Sequence, residues 1–172
     1  RRHGRVVLAA KEEEISNDLG RGHQTLYPGK FAQVEGVHCG LDTLRRDAAD
    51  DVVRVHYRGN DELASLPYVA AAQIQPGITN LRATFTETWW IRYYGTRRTI
   101  STFNYKEALG QETNYFRDKI VFIGGGPQTA FPGRVTDKFR TPYTRMGGDY
   151  VDGVDIMATT FLNLARRDWL VE

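Results

Sequence analysis

Three consecutive glycines, Gly124, Gly125 and Gly126, close an apolar run, Ile120, Val121, Phe122 and Ile123. That is where an open α/β sheet places its ligand crevice and where backbone N–H groups can cradle an anion. The dinucleotide fingerprint is nevertheless broken, because Thr129 stands where a G-x-G-x-x-G turn needs its third glycine and Pro127 leads into more loop. No G-K-[ST] follows a glycine-rich loop either. A tight structural turn is the favoured reading of the three glycines, with anion binding as its rival.

The other chemistry-bearing residues are scattered. His3, His23, His38 and His56 have no partner ligand at helical or knuckle-type zinc spacing, so no metal or other cofactor is expected. His38 and Cys39 are adjacent, and on a strand neighbours point to opposite faces, so they cannot act as base and nucleophile; Cys39 reads as core. Asp47, Asp50 and Asp51 lack the alternating ligands and terminal glutamate of a calcium loop and read as a solvated turn. No G-x-S-x-G elbow is present, and a hydrolase is the least supported class.

The sharpest binding signal is the interleaving of Trp89, Trp90, Arg92, Tyr93, Tyr94, Arg97 and Arg98, which could stack on bases while contacting phosphates. Strand alternation offers a simpler account: Trp89, Ile91 and Tyr93 on one face, Trp90, Arg92 and Tyr94 on the other, before an arginine-bearing turn. Charge weakens the nucleic-acid reading. Residues 82–146 hold 11 basic and 5 acidic side chains, but the whole chain carries only +2. With 172 residues, 41% hydrophobic, 26% charged and a single cysteine, the chain is expected to be one soluble packed domain without disulfides.

Positioning these residues falls to alternating strands and helices. Strands are expected at 5–10, 34–39, 52–57, 89–94 and 119–124, the second and third paired as a hairpin and the last lying centrally. Residues 11–30 read as a long solvated excursion. A helix capped by Ser65 should bury Leu66, Val69, Ala70 and Ile74 and end at Pro76 and Gly77. Short helix 104–109 and a final helix from about Asp152 complete the set; the latter presents Val154, Ala158, Phe161, Leu162 and Ala165 on one face. The order predicts an α/β fold: a mixed central β-sheet flanked by helices in a single domain.

Three ordered motifs carry a family resemblance. Phe116 to Gly124 follows F-x-[DG]-K-I-V-x-I-G; Asp137, Thr141 and Pro142 follow D-x-x-x-T-P; and Gly153, Val154, Ile156 and Ala158 follow G-V-x-[IV]-H-A, with Met157 in place of the histidine. Upstream, Val6 to Ala9 fits a V-V-L-A strand, Asp50 to Arg54 a D-G-x-x-R turn with Asp51 for the glycine, and Trp89 to Gly95 resembles an I-N-[YF]-x-G segment leading to the short helix. The chain resembles the second class of CHASE domains, extracytoplasmic sensory modules of bacterial adenylate cyclases, histidine kinases and serine/threonine kinases. Asp51 in that pattern suggests a reshaped turn.

The resemblance implies a non-catalytic sensor, a piece of a longer membrane protein tethered by helices outside this sequence and paired with a second copy. It implies architectural roles for Gly124, Asp137, Thr141, Pro142, Gly153 and Ala158. The ligand rim is expected among Gly124, Gly125, Gly126, Asp137 and Thr141, with Arg97 and Arg98. The stimulus is an unnamed small molecule or protein, and no nucleic acid is expected. The competing class is a cytosolic nucleotide- or nucleic-acid-binding protein using the glycine run and the arginine-aromatic strand.

Overall fold

Strand β1 (Val6–Asn17) joins two kinds of sequence, and each half makes its own pairing. In the computed structural model, which describes residues 5–17, 20–78, 88–95, 99–126 and 137–171, its aliphatic first half runs parallel to β3 (Val37–Leu41). Val6 lies opposite Val37 and Ala10 opposite Leu41. Its charged second half pairs antiparallel with β2 (Gly20–Leu26), Lys11 opposite Leu26 and Glu14 opposite His23. The sheet order is β2-β1-β3, a mixed sheet as expected.

The excursion expected over residues 11–30 is therefore a hairpin arm followed by a 3₁₀ turn, Gly29–Gln33. Charge correctly indicated exposure, but an antiparallel ladder satisfies its backbone without burying a face. Carboxylates tie the arm down. Glu12 accepts from the Tyr57 hydroxyl at 3.0 Å and from Asn60 at 3.2 Å, and Glu62 accepts from Thr25 at 2.9 Å and Tyr27 at 2.8 Å.

Residues 52–57 are extended but do not pair with β3 as expected. They bridge to distant chain instead: Val53 N–H donates to the Arg140 carbonyl (2.9 Å), Ile91 N–H to Arg54 (2.6 Å) and His56 N–H to Trp89 (2.9 Å). Trp90 and Leu170 exchange both backbone hydrogen bonds, at 2.8 and 3.0 Å. The parallel partner of β3 was hidden from local reading because β1 and β3 are separated by the whole arm.

Helix α1 (Leu66–Ala72) starts after Ser65 with Pro67 in its first turn. It buries Pro67, Tyr68 and Ala71, while Ile74 is exposed, so the buried face is turned by about 100° from the expected one. Pro76 and Gly77 lie beyond an intervening turn. Helix α2 (Tyr105–Leu109) has a reciprocal capping box, Glu107 N–H donating to Asn104 and Asn104 N–H to Glu107, each at 2.9 Å.

A two-stranded antiparallel ribbon of β4 (Lys138–Phe139) and β5 (Val151–Asp152) brackets the 3₁₀ turn Pro142–Met146 and feeds α3 (Gly153–Arg166). Nine of the 14 residues of α3 are buried, including Thr159, Thr160 and Asn163, so the single apolar stripe expected is instead burial around most of the helix. The main core lies between α1 and α3, where Tyr68, Ala71, Ile78, Trp89, Phe161 and Leu164 pack together. A second cluster, Val53, Ile91, Val151 and Ile156, continues it under the bridged segments.

Residues 119–124 overturn the expectation of a central strand. Ile120 and Val121 are about half exposed and Ile123 is 94% exposed. Phe122 alone of the apolar four turns inward, its ring 5.4 Å from that of Phe161. Among the described residues no backbone hydrogen bond joins 120–126 to another segment. An apolar run signals burial only when a neighbouring strand receives it, and no described strand does.

Candidate functional site

The motif residues converge on the start of α3. At Gly124 an added Cβ would sit 2.6 Å from Cβ of Val154, and at Gly153 it would sit 2.6 Å from Asp137 Oδ1. Absence of side chains at both positions lets segment 119–126 and the Asp137 loop close on the first helical turn. The Gly153 N–H donates to the Asp137 carbonyl at 3.3 Å. Lys138 pairs with Asp152 across the β4–β5 ribbon.

Gly126 faces the same carboxylate, its Cβ position 3.6 Å from Asp152 Oδ2, whereas Gly125 faces open space. Burial, then the neighbouring Asp152, pushes the Asp137 carboxyl above its ordinary value. Two carboxylates beside the glycines set a negative potential there, partly neutralised by Lys138. Thr141 is buried; its N–H donates to the Thr144 hydroxyl (3.0 Å) and its carbonyl accepts from Thr144 N–H (3.0 Å), with Pro142 opening the 3₁₀ turn. Ala158 is buried in α3, and so is Met157. The structure thus gathers Gly124, Gly126, Asp137 and Gly153, sets Thr141 and Pro142 further along the same loop, and holds Ala158 one helical turn away. Arg97 and Arg98 lie outside the described residues.

The Asp50 to Arg54 turn is an ion-pair knot. Arg54 grips Asp50 through both guanidinium nitrogens, at 2.6 and 2.5 Å, and reaches Asp47 at 3.0 Å. Asp51 adopts φ +61°, the left-handed conformation that glycine takes most readily. Arg140 donates to the Asp50 carbonyl at 3.1 Å, joining this knot to the Asp137 loop.

Sequence reasoning missed a second constellation, built on Asn163. Its Oδ1 accepts from Arg92 N–H at 2.9 Å, and its Nδ2 donates to the Arg92 carbonyl and to the Tyr94 hydroxyl, both at 3.0 Å. The two backbone contacts fix the orientation of the amide, so His56 Nε2, 3.2 Å from Oδ1, must be the N–H donor. Tyr94 in turn donates to Asp168 at 2.8 Å. A lone amide inside F-L-N-L-A was the available signal.

His56 also borders a cavity of about 300 Å³ together with Arg45, Tyr57, Arg58, Thr88 and Trp89. Burial drives its pKa down to about 4, opposed by the Asn163 hydrogen bond and aided by Arg58, so the ring is neutral at pH 7. Trp89 is 1% exposed and stacked on Trp169 at 4.1 Å, and Ile91 is likewise in the core. That alternation is the one expected of a half-buried strand, and it removes Trp89 from any base-stacking platform.

Residues 7–172 match the CHASE2 domain family. No curated protein and no solved structure matches the chain. The chain belongs to the CHASE2 family. Members are extracytoplasmic sensory domains of signalling proteins, a sensory and not a catalytic family. Among the described residues, no helix is long and apolar enough to cross a membrane.

Proposed function

We propose that the chain is the ligand-recognition domain of a bacterial transmembrane receptor, held on the periplasmic or extracellular face of the cell membrane by segments on either side. It passes its signal to a cytoplasmic cyclase or kinase domain, carries out no reaction itself, and works beside a second copy. The observation that supports this reading is the setting of α3. The CHASE2 motif residues pack on its first turn, Asn163 clamps its middle to the 89–94 segment, and its C-terminal side carries Trp169 onto Trp89.

A stimulus that fits one arrangement of these contacts better than another shifts the population, and α3 carries the difference toward the chain that follows it. The test is topological. A reporter fused after residue 172 in the intact gene product reads out on the outer side of the membrane under this proposal; a cytoplasmic readout overturns it.

A further inference from the structure

His56 occupies a place that suits a neutral imidazole and not an imidazolium. The residue is 4% exposed. Its Nε2 donates to Asn163 Oδ1 at 3.2 Å, and its Nδ1 is buried with no hydrogen-bond partner among the described residues. In the neutral ring Nδ1 is a lone pair; a proton there makes an unpaired buried donor on a charged ring. The surroundings add to that cost. The ring stands at 84° to the Trp89 indole, 6.3 Å between centroids, and the Arg58 guanidinium lies over the same indole at 4.9 Å, where it opposes a second positive charge. Arg45 lines the same cavity, and the Tyr57 hydroxyl beside it donates to Glu12. From α3 the ring meets the Asn163 amide, with Asp168 two hydrogen bonds further on through Tyr94; α1 brings Tyr68 to the Trp89 indole. No carboxylate lines the cavity among its described residues.

We infer that the proton is a stimulus of this domain and that His56 reads it: the neutral ring holds residues 52–57 to Asn163, and a ring that takes a solvent proton at Nδ1 leaves that place and loosens the middle of α3. Burial drives the folded ring's pKa from 6.5 down to about 4, so protonation weights the released arrangement by up to about 300-fold. A clamp favoured by less than that factor opens as pH falls from about 6.5 toward 4. The release reaches further than one contact. Asn163 also completes the hydrogen bonds of the Arg92 peptide groups, and the indole beside the ring stacks on Trp169, just beyond the C-terminal end of α3. The inference rests on the sensory reading above and names its stimulus.

The test is an acid titration of the purified 172-residue chain. Near-ultraviolet circular dichroism follows the packing of Trp89 and Trp169, far-ultraviolet circular dichroism the helix content, and nitrogen-15 shifts the protonation of each histidine ring. A reversible near-ultraviolet step is expected between about pH 6.5 and 4, at constant far-ultraviolet signal, in step with protonation of the ring that disappears in His56→Gln. Glutamine keeps a neutral donor for Asn163, so the near-ultraviolet step is lost in that variant. A step of full size in His56→Gln, no step in the wild type, a His56 ring that protonates while the tryptophan signal stays unchanged, or loss of both dichroism signals together overturns the inference. If His56→Gln does not fold, the wild-type ring is identified by its nuclear Overhauser contact with the Trp89 indole, and the coincidence of its protonation with the step decides. The titration uses the isolated chain and the topology reporter the intact gene product, so either reading can fail without the other.

Discussion

Asn163 completes both hydrogen bonds of the Arg92 peptide groups, accepting from its N–H at 2.9 Å and donating to its carbonyl at 3.0 Å, as a neighbouring strand would. A helix side chain thereby substitutes for a sheet partner along the 89–94 segment. Removing it strands several buried polar groups at once: Arg92 N–H and carbonyl, His56 Nε2 and one acceptor contact of Tyr94. Asn163→Leu is therefore expected to cost about 3 kcal/mol of unfolding free energy, measured by urea denaturation. A loss under about 1 kcal/mol would show that the clamp is not structural.

The neutral state of His56 gives a pH signature. Its folded pKa, about 4, lies below the 6.5 of the unfolded chain. Between those values the unfolded state binds the extra proton, so stability is fully present above about pH 6.5 and is lost as pH falls toward 4. The span corresponds to roughly 3 kcal/mol at most. Carboxylates titrate in the same window, so the decisive quantity is the difference between wild type and His56→Gln. Thermal melts from pH 7 to 4 should show a shallower decline in the variant; parallel declines would refute the assignment.

The two motif glycines near α3 should not respond alike. At Gly124 a new methyl meets the stiff Cβ of Val154, while at Gly153 it meets the end of the Asp137 side chain, which can rotate away. Gly153→Ala also gains helix propensity, worth up to about 1 kcal/mol. Gly124→Ala is expected to destabilise by about 1–2 kcal/mol, and Gly153→Ala to stay within about 0.5 kcal/mol of wild type. Adding Val154→Ala should recover most of the Gly124→Ala loss, a coupling that a double-mutant cycle measures.

What could be read in advance was local. The short helix near 104–109 and the start of α3 are written in contiguous residues, and the structure places both where spacing indicated. The outward and inward faces of residues 89–93 followed from alternation alone. The partner of 52–57 did not, since its bridges go to Trp90 and Arg140, dozens of residues away, as isolated contacts with no ladder pattern to detect. The α1 face was misjudged because Leu66, Val69 and Ile74 are more apolar than Ala71, yet it is Tyr68 and Ala71 that are buried with Phe161 and Leu164 of α3. The architectural roles of Gly124 and Gly153 were legible in the motifs, but the cavity joins residues from three segments that no spacing rule connects.

Residues 119–124 offer the sharpest contest between composition and structure. An interior strand of this sequence would bury Ile123 on a packed face, and Ile123→Glu would then cost several kcal/mol. With Ile123 94% exposed, the same substitution should change stability by less than about 0.5 kcal/mol. Phe122→Ala, which removes the ring resting on Phe161, should cost about 2 kcal/mol, less than a fully enclosed phenylalanine because Phe122 is only half-buried. Urea melts of the two variants decide between the arrangements: a large loss at Ile123 places the segment inside a sheet, whereas a loss confined to Phe122 leaves it as a one-sided strap over α3.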